Sequence, residues 1–284
     1  MKRMSQKTIA KRVFFMFLLS LVTIVSVHGQ KNPPKQVRHL YSSQVDKNIS
    51  DDFNSIDWTN KWTWRRGMGD SSQVQIVMQT DTFVSIKGDA STKLGAGLSS
   101  LHTTKYGFYV TKWRLRGIKD GVKTPWHPSI WAAVDNFGVR NYKLDPKPYQ
   151  RLEIDFMEAF WVPNWSSHVI CWEGNKTKVH YPRPKNPQMP TKEWSVLGFE
   201  YTPEYIAFWE FKDNDWQFIQ SIPFTEGKTI VGKQINYGYR QKVYWILSNI
   251  YIKNKETASP DTYLDVDYFY YYPFTFYPNY YWKD

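Results

Sequence analysis

Three carboxylates interrupt a stretch that otherwise has the composition of a buried β-strand. The stretch is RLEIDFMEAF, residues 151–160, and its acids are Glu153, Asp155 and Glu158. Carboxylates seldom enter a protein core without a partner, because an ionised group loses its hydration there. The strand therefore either faces water on one side or uses these acids in chemistry.

The spacing of the acids puts two of them on one face and leaves the third to a backbone irregularity. Side chains alternate between the two faces of a strand, so Glu153 and Asp155 point the same way. The apolar residues Leu152, Ile154 and Phe156 point the other way. Five residues after Glu153, a regular strand would turn Glu158 to the opposite face. One β-bulge adds a residue and returns it. We therefore predict a bulge and an acidic row above a core strand.

An acidic row of this kind predicts a division of protonation states. Like charges close together raise at least one pKa, so that one carboxylate stays ionised while another keeps its proton near neutral pH. Cleavage of a glycosidic bond needs such a pair, a nucleophile and a general acid, and carboxyls separated by roughly 5–5.5 Å give retention of configuration. The alternative is a solvated strand face with scattered acids, and the spacing alone leaves both open.

The N-terminal residues have the pattern of a secretory signal peptide. Residues 1–12 contain basic side chains and no acid, the apolar run VFFMFLLSLVTIVSV spans 13–27, and the small residue Gly29 follows. The run is shorter than the roughly 20 residues that a membrane span needs. We predict cleavage after Gly29, export to the periplasm or the medium, and no membrane span in the mature chain.

The mature chain would be only moderately basic. Without the five basic residues of the leader, the 37 lysines and arginines of the whole chain become 32 against 26 acids, a net charge of +6 instead of +11. A dense Lys/Arg run of the kind that binds nucleic acid is absent from the sequence, so we expect no nucleic-acid partner. A polyanionic ligand such as a sulfated polymer is compatible with this charge, and so is simple solubility.

Motifs of several other enzyme classes are missing from the sequence. Cys171 is the only cysteine, which excludes an intrachain disulfide and indicates that stability comes from a sizeable core. The metal-ligand spacings HExxH and CxxC are absent, as are the nucleotide and serine-hydrolase motifs GxGxxG, GxxxxGK and GxSxG. We predict no cofactor and no catalytic metal, and we expect a monomer.

From Trp58 onward the chain is a series of short β-like runs separated by Gly, Pro, Asn and Asp. GFYVTKWRLRG (107–117) alternates between its two faces, and no long segment has the 3.6-residue apolar period of a helix. This pattern predicts an all-β antiparallel sandwich or barrel. The predicted organisation is a signal peptide at 1–29, a polar lead-in at 30–55 that is a linker or loosely packed, and one domain at 56–280.

RLEIDFMEAF resembles the catalytic strand of glycoside hydrolase family 16, which has the form E-[ILV]-D-x-x-E. The family contains laminarinases, agarases, porphyranases and κ-carrageenases. Four further stretches resemble family motifs in the same order: YGFYVTKWRLRG, HPSIWAAV, WSVLGFEYTPEYIAFWEFKD, and the C-terminal pair VYWILSNI and YLDVDYFYYYP. Together these stretches run from Tyr106 to Pro273, most of the predicted domain.

The resemblance implies a β-jelly-roll sandwich of two curved antiparallel sheets with a concave substrate cleft. It implies that Glu153 is the nucleophile, that Glu158 is the general acid/base, and that Asp155 makes a hydrogen bond that tunes and orients Glu153. The reaction would be a double displacement through a glycosyl-enzyme intermediate. Some members of the family bind a structural calcium, whose position the sequence does not indicate.

The resemblance also favours one substrate class. The words MEAF and FEYTP are similar to the agarase, porphyranase and κ-carrageenase branch, which implies an endo-acting enzyme for β-linkages of a red-algal galactan. Arginines make bidentate contacts with anionic oxygens, so basic residues near the cleft favour a sulfated galactan. The candidate anion-binding residues are Arg65, Arg66, His127, Arg140 and Arg240.

Tryptophans near the motif are candidate platforms for sugar rings. They are Trp64, Trp126, Trp131, Trp161 and Trp165, and Trp131 lies in the stretch that resembles the family's cleft-wall strand. Core packing is the alternative for each of them, because tryptophan is highly buried on average. For the chain as a whole, the alternatives are a laminarinase-like β-glucanase, a carbohydrate-binding protein that has lost its chemistry, and an unrelated exported β-sandwich adhesin.

Overall fold

The chain folds into short β-strands, seen in a computed structural model that describes residues 31–65, 77–118, 125–135, 149–159, 165–182, 193–225, 235–252 and 260–275. The predicted signal peptide lies outside the described residues. The strands are β1 (Trp62–Trp64), β2 (Val77–Gln79), β3 (Val84–Gly88), β4 (Ala96–Ser100), β5 (Gly107–Arg116), β6 (Trp126–Ala133), β7 (Gln150–Glu158), β8 (Ser166–Glu173), β9 (Lys176–Pro182), β10 (Ser195–Tyr201), β11 (Tyr205–Lys212), β12 (Asp215–Thr225), β13 (Ile235–Asn236), β14 (Tyr244–Tyr251) and β15 (Thr262–Pro273). Short 3₁₀ helices cover Arg38–Leu40 and Tyr237–Tyr239.

The strands form two sheets. One has seven strands in the order β1-β4-β14-β6-β7-β8-β9, and the other has eight in the order β13-β12-β11-β10-β5-β15-β3-β2. Neighbouring strands pair antiparallel, apart from the short parallel contact of β12 with β13. The predicted fold class, a β-jelly-roll sandwich of two antiparallel sheets, is confirmed.

Aromatic side chains fill the space between the sheets, which accounts for much of the aromatic content. Tyr109 of β5 stacks on Tyr271 of β15 with ring centroids 4.8 Å apart, and it lies 4.6 Å from Trp245 of β14. Phe156 of the acid-bearing strand joins this cluster through Trp245 at 6.1 Å. Offset and edge-to-face aromatic pairs add to the free energy gained by burying their area. The back of β7 is therefore anchored in the core.

The lead-in packs against the outer face of the eight-stranded sheet. Tyr41 is buried, and its hydroxyl donates a hydrogen bond of 2.6 Å to the buried carboxylate of Glu200. The indole of Trp216 donates to the carbonyl of Asn32 at 2.9 Å. The described part of the lead-in is thus packed and not loose, because its few apolar residues cover aromatic side chains that β5, β11, β12 and β15 present outward. Within the described residues, no helix has the length and apolarity required to cross a membrane.

Candidate active site

A β-bulge lies in β7 at the position that the spacing of the acids predicts. Between Asp155 and Glu158 the strand advances three residues, while its partner β8 advances only two, from His168 to Ser166. The pairing with β6 shifts at the same place, between Ile130 and Trp131. A bulge of this kind re-aims the side chains that follow it.

The bulge sends two consecutive residues into the core and returns the next one to the acidic face. Phe156 and Met157 are both buried in the hydrophobic core, although regular alternation would separate them. Glu158 therefore lies on the same side of the sheet as Glu153 and Asp155, and the three carboxyls interact electrostatically. The acids form one cluster on the face of the seven-stranded sheet that is turned away from the core.

Two histidines from the neighbouring strands hold both carboxylate oxygens of Glu158. Nε2 of His127 on β6 lies 2.7 Å from Oε1, and Nδ1 of His168 on β8 lies 2.8 Å from Oε2. Burial by itself would raise the pKa of Glu158, but the hydrogen bonds and charges of the two imidazoles outweigh burial and lower it to about 2. In this arrangement Glu158 is an ionised carboxylate.

The ionised form of Glu153 is stabilised less strongly than that of Glu158. The indole N–H of Trp172 on β8 donates to Oε2 at 2.9 Å, and the guanidinium of Arg151 lies 5.2 Å from the centre of the same indole ring. Burial raises the pKa of Glu153 to about 7, although Trp172, Arg151 and Arg65 all oppose that rise. At neutral pH and below, Glu153 therefore holds the proton that a carboxylate pair shares.

Asp155 is the most enclosed of the three acids. Its side chain is 4% exposed, and its Oδ2 is buried without a hydrogen-bond partner. The Nδ1 of His168 lies 3.8 Å from that oxygen. Burial, followed by the charges of Glu153 and Glu158, raises the pKa of Asp155 well above its ordinary value.

Trp131 and Arg65 form the floor of the site beside the acids. Trp131 pairs with Asp155 across the β6–β7 ladder, and its indole N–H donates to the hydroxyl of Ser248 at 3.2 Å. The guanidinium of Arg65 lies 5.0 Å from the Trp131 ring centre and donates to the same hydroxyl at 2.8 Å. Gly97 leaves room for this arginine, since an added Cβ would lie 3.1 Å from that of Arg65. An arginine is thus fixed on an aromatic surface, and its charge acts to lower the pKa of Glu153.

Three of the predicted sugar platforms pack their rings against other residues of the protein. Trp126 is fully buried and lies against Gly88, where an added Cβ would clash with its ring. Trp165 is buried against Trp113, with ring centroids 5.7 Å apart. Trp64 stacks on Trp58 with ring centroids 4.2 Å apart. Because side chains alternate along β1, this pair lies on the side opposite to Arg65. The prediction of a sugar contact is wrong for Trp126 and Trp165, because core packing encloses their rings, whereas for Trp64 it stays a prediction.

The predicted anion-binding residues do not form one group. His127 is part of the acidic cluster, where it binds Glu158 instead of standing in a cleft loop. Arg240 donates to the backbone carbonyls of Tyr237 and Pro203 and stabilises its own loop. Arg66, Arg140 and Trp161 lie outside the described residues.

Sequence reasoning missed the contribution of β8. This strand, SSHVICWE, presents His168 and Trp172 to the acids, while Val169 and Cys171 between them enter the core. Its period-two alternation was the available signal, but only the cross-strand register shows that these residues lie beside the acids. Ser248 of β14 was missed for the same reason.

Some donor atoms of the cluster are of the types that bind metals. One atom each from Asp155, Glu158 and His168 lie within 4.8 Å of one another. The hydrogen bond between His168 and Glu158 accounts for this closeness, so we describe the set as a hydrogen-bonded group. The expectation that the chemistry needs no metal stays a prediction.

Solved structures show what the chain is similar to, whereas no protein-family model and no curated protein sequence gives a significant match. A κ-carrageenase from Pseudoalteromonas carrageenovora, in complex with an oligotetrasaccharide of κ-carrageenan, has 14% identity and a TM-score of 0.55, over 81% of this chain and 95% of that chain. Porphyranase B from Zobellia galactanivorans has 12% identity and a TM-score of 0.53, over 81% and 92%.

A similar match is a prokaryotic β-1,3-1,4-glucanase (lichenase) derived from a mouse hindgut metagenome. It has 12% identity and a TM-score of 0.54, over 79% of this chain and 98% of that chain. The carrageenase, the porphyranase and the glucanase thus match to a similar degree. At these identities the likeness shows a common fold, and the chain has the β-jelly-roll architecture of these glycan-degrading enzymes.

Proposed function

We propose that the chain is a retaining glycoside hydrolase of family 16 that cleaves β-linkages inside a polysaccharide. The observation that carries this proposal is the bulge in β7, which brings Glu158 to the face of Glu153 and Asp155. The acids stand beside the floor formed by Trp131 and Arg65. The shared fold with three glycan-degrading enzymes supports the same activity.

In the proposed reaction the two outer acids act in sequence. Glu153 attacks the anomeric carbon while Glu158 gives a proton to the leaving oxygen, which forms a glycosyl-enzyme and releases the first product. Glu158, now a carboxylate, takes a proton from water, whose oxygen attacks the same carbon and frees Glu153. The raised pKa of Asp155 favours its neutral form, which adds no charge that would oppose the ionisation of Glu153.

The resting protonation states differ from those that the first step of the reaction needs. In the free protein the pKa of Glu153 is raised to about 7 and that of Glu158 is lowered to about 2, so the shared proton rests on the group proposed as nucleophile. Either the proton moves to Glu158 when a sugar binds, or the two roles are reversed. We propose the first, since the motif resemblance assigns the nucleophile to Glu153.

Azide trapping separates the two assignments. We expect Glu153→Ala and Glu158→Ala each to lose at least about 10³-fold in kcat on polysaccharide. With an activated aryl glycoside and azide, Glu153→Ala should give the α-glycosyl azide, because azide replaces the nucleophile. Glu158→Ala should give the β-glycosyl azide, because azide attacks the glycosyl-enzyme. The opposite pairing of products would reverse the roles, and unchanged activity of either variant would exclude the mechanism.

We further propose that the substrate is a red-algal galactan that carries sulfate, of the agarose, porphyran or carrageenan type. Arg65 supports this, because a guanidinium fixed on an indole ring near the acids is suited to a sulfate oxygen. Reducing-end release from agarose, porphyran, κ-carrageenan, laminarin and lichenan tests the proposal. Cleavage of laminarin or lichenan alone would make the chain a β-glucanase, and binding without cleavage would make it a carbohydrate-binding protein.

A variant of Arg65 tests the recognition of sulfate. Arg65→Gln keeps a donor for Ser248 but removes the charge, so we expect KM for the sulfated substrate to rise about 10-fold or more, consistent with the 1.5–3 kcal/mol of a hydrogen bond to a charged group. The KM for a desulfated preparation of the same polymer should change little. An equal change on both polymers would contradict a role in sulfate binding.

The proposal includes export, a monomeric state and activity without a cofactor. Removal of residues 1–29 would leave Gln30 as the first residue, which N-terminal sequencing of the exported protein would show. Light scattering at working concentration tests the monomer. Full activity after dialysis against a chelator tests the absence of a catalytic metal, and a lowered Tm after the same treatment would reveal a structural calcium.

A further inference from the structure

Each carboxylate oxygen of Glu158 lies against an imidazole. These contacts favour the ionised form, whereas a general acid must hold a proton. His127 takes Oε1 at 2.7 Å and His168 takes Oε2 at 2.8 Å. A general acid must present its proton to the leaving oxygen within hydrogen-bond distance. Imidazole contacts at both oxygens favour the ionised form, so opening one of them lets Glu158 hold and transfer a proton more readily.

The second observation is a buried acceptor close to His168. Oδ2 of Asp155 is buried and has no hydrogen-bond partner, and it lies 3.8 Å from Nδ1 of His168. A buried acceptor without a donor costs free energy, typically about 1–3 kcal/mol. The same Nδ1 is 2.8 Å from Glu158, so a small movement of one ring exchanges one carboxyl for the other.

His127 and His168 occupy unequal positions in the fold. His127 belongs to β6, on one side of β7, and His168 belongs to β8, on the other side. His168 pairs directly with Asp155 across the β7–β8 ladder, which is why both acids are within its reach. His127 approaches Glu158 at its other oxygen. We therefore regard the His168 contact as the one that can exchange between two acids and the His127 contact as the one that stays on Glu158.

We propose that His168 is a positioning residue that moves its Nδ1 contact from Glu158 to Asp155 when a sugar enters, while His127 keeps Oε1 and leaves Oε2 as the proton-transferring oxygen. This inference rests on the proposed function and adds to it the control of the acid/base. The exchange satisfies the buried oxygen of Asp155 and opens the oxygen of Glu158 that the leaving group needs.

The exchange also moves the shared proton to the acid/base. The groups that face Glu158 are His127 from β6, His168 from β8, and Asp155 and Glu153 from β7 itself. When His168 withdraws, Glu158 loses one of the two hydrogen bonds that lower its pKa. The proton then leaves Glu153 and binds Oε2 of Glu158, which makes Glu153 a carboxylate and keeps the total charge unchanged.

Kinetics on two kinds of substrate test the inference. In His168→Leu we expect kcat/KM on polysaccharide to fall about 10–100-fold, a part of the 10²–10⁴ that general acid–base catalysis contributes. An aryl glycoside whose leaving group needs no proton should be cleaved within about 3-fold of the wild-type rate. The acid limb of the pH profile should move upward, because Glu158 has lost a donor. Equal losses on both substrates, or an unmoved acid limb, would overturn the proposal.

Two further variants separate positioning from folding. His168→Asn places an amide N–H near the position of Nδ1, so we expect it to restore most of the polysaccharide activity. His102→Leu alters an exposed histidine that binds only the carbonyl of Asn60 among the described contacts, and it should behave as the wild type. If His168→Asn were as impaired as His168→Leu while circular dichroism showed both to be folded, a donor role would be excluded.

A crystal structure with bound sugar gives a readout that does not depend on activity. The probe is the tetrasaccharide of the panel polysaccharide that the wild type cleaves fastest, soaked into Glu153→Gln. We expect His168 Nδ1 within 3.2 Å of Asp155 Oδ2 and the leaving-group oxygen at Glu158. A ring of His168 that stays on Glu158 Oε2 would overturn the inference while leaving the proposed function intact, whereas absence of cleavage by the wild type on every polysaccharide would remove both.

Discussion

At the scale of single residues, the two outer acids differ because their neighbours differ. Glu158 is bound by two imidazoles, whereas Glu153 has one neutral indole donor and more distant arginines. Burial acts on both groups in the same direction, so the hydrogen-bond donors decide which carboxyl ionises first. The active form of the pair holds one proton.

This protonation state predicts how activity depends on pH. The pair keeps its one proton until pH passes the raised pKa of Glu153, which is about 7. We therefore expect kcat/KM to fall about 10-fold for each pH unit above that value, and to hold between about pH 5 and 6.5. Initial rates in buffers of constant ionic strength measure this dependence of kcat/KM on pH. Activity that increases from pH 6 to pH 9 would contradict the account.

The same raised pKa predicts a pH-dependent stability. A carboxyl whose pKa is higher in the folded than in the unfolded chain stabilises folding at low pH, and this contribution is lost as pH rises through about 7. Glu153→Gln removes the charge and keeps the shape, so its Tm should exceed that of the wild type by a larger margin at pH 8.5 than at pH 5. Each kcal/mol corresponds to about 2–4 °C for a chain of this size. The same margin at both pH values would contradict the prediction.

At the scale of elements, one additional residue in β7 determines whether the acids meet. The bulge was predictable from the sequence because only an extra residue puts Glu158 on the face of Glu153. Trp126 was mistaken for a sugar platform although it shares its strand face with Ile130, which is a core residue. His168 was not predictable as a neighbour, because the pairing of β7 with β8 is a long-range contact that local sequence does not encode.

Reversing the effect of the bulge tests its role directly. Insertion of one alanine between Met157 and Glu158 would give the strand a second extra residue and direct the carboxylate of Glu158 into the core, where an unpaired charge is costly. We expect no measurable activity and a loss of several kcal/mol in the free energy of unfolding, from urea titration. Phe156→Leu keeps the bulge and should retain activity, at a stability cost of about 1–2 kcal/mol. An insertion variant that still cleaves would contradict the importance of the bulge.

At the scale of the whole molecule, the two sheets have different roles. The seven-stranded sheet carries the acids on its outer face, and the eight-stranded sheet closes the core from the other side and is covered by the lead-in. The sequence predicted the all-β class from strand-length runs and turn residues. It did not predict the packed lead-in, because residues 31–55 have no periodic apolar pattern and their contacts are with distant strands.

The lead-in should contribute to stability and not to catalysis. The buried carboxylate of Glu200 accepts hydrogen bonds from Tyr41, Tyr205 and Trp209. Tyr41→Phe removes one donor and should lower the free energy of unfolding by about 1–2 kcal/mol, while kcat/KM stays within 2-fold because the acids lie on the other sheet. Urea unfolding and initial rates measure both. A large loss of activity with unchanged stability would contradict this division.

The stereochemistry of the first product tests the central claim most directly. If the bulge brings Glu153 and Glu158 to the same sugar at the separation of a retaining pair, the glycosidic bond is cleaved by two displacements. Proton NMR during the first minutes of hydrolysis should then show the β-anomer of the new reducing end, with the α-anomer growing in only by mutarotation. An α-anomer that forms first would mean a single displacement by water, and the account of these two acids would be wrong.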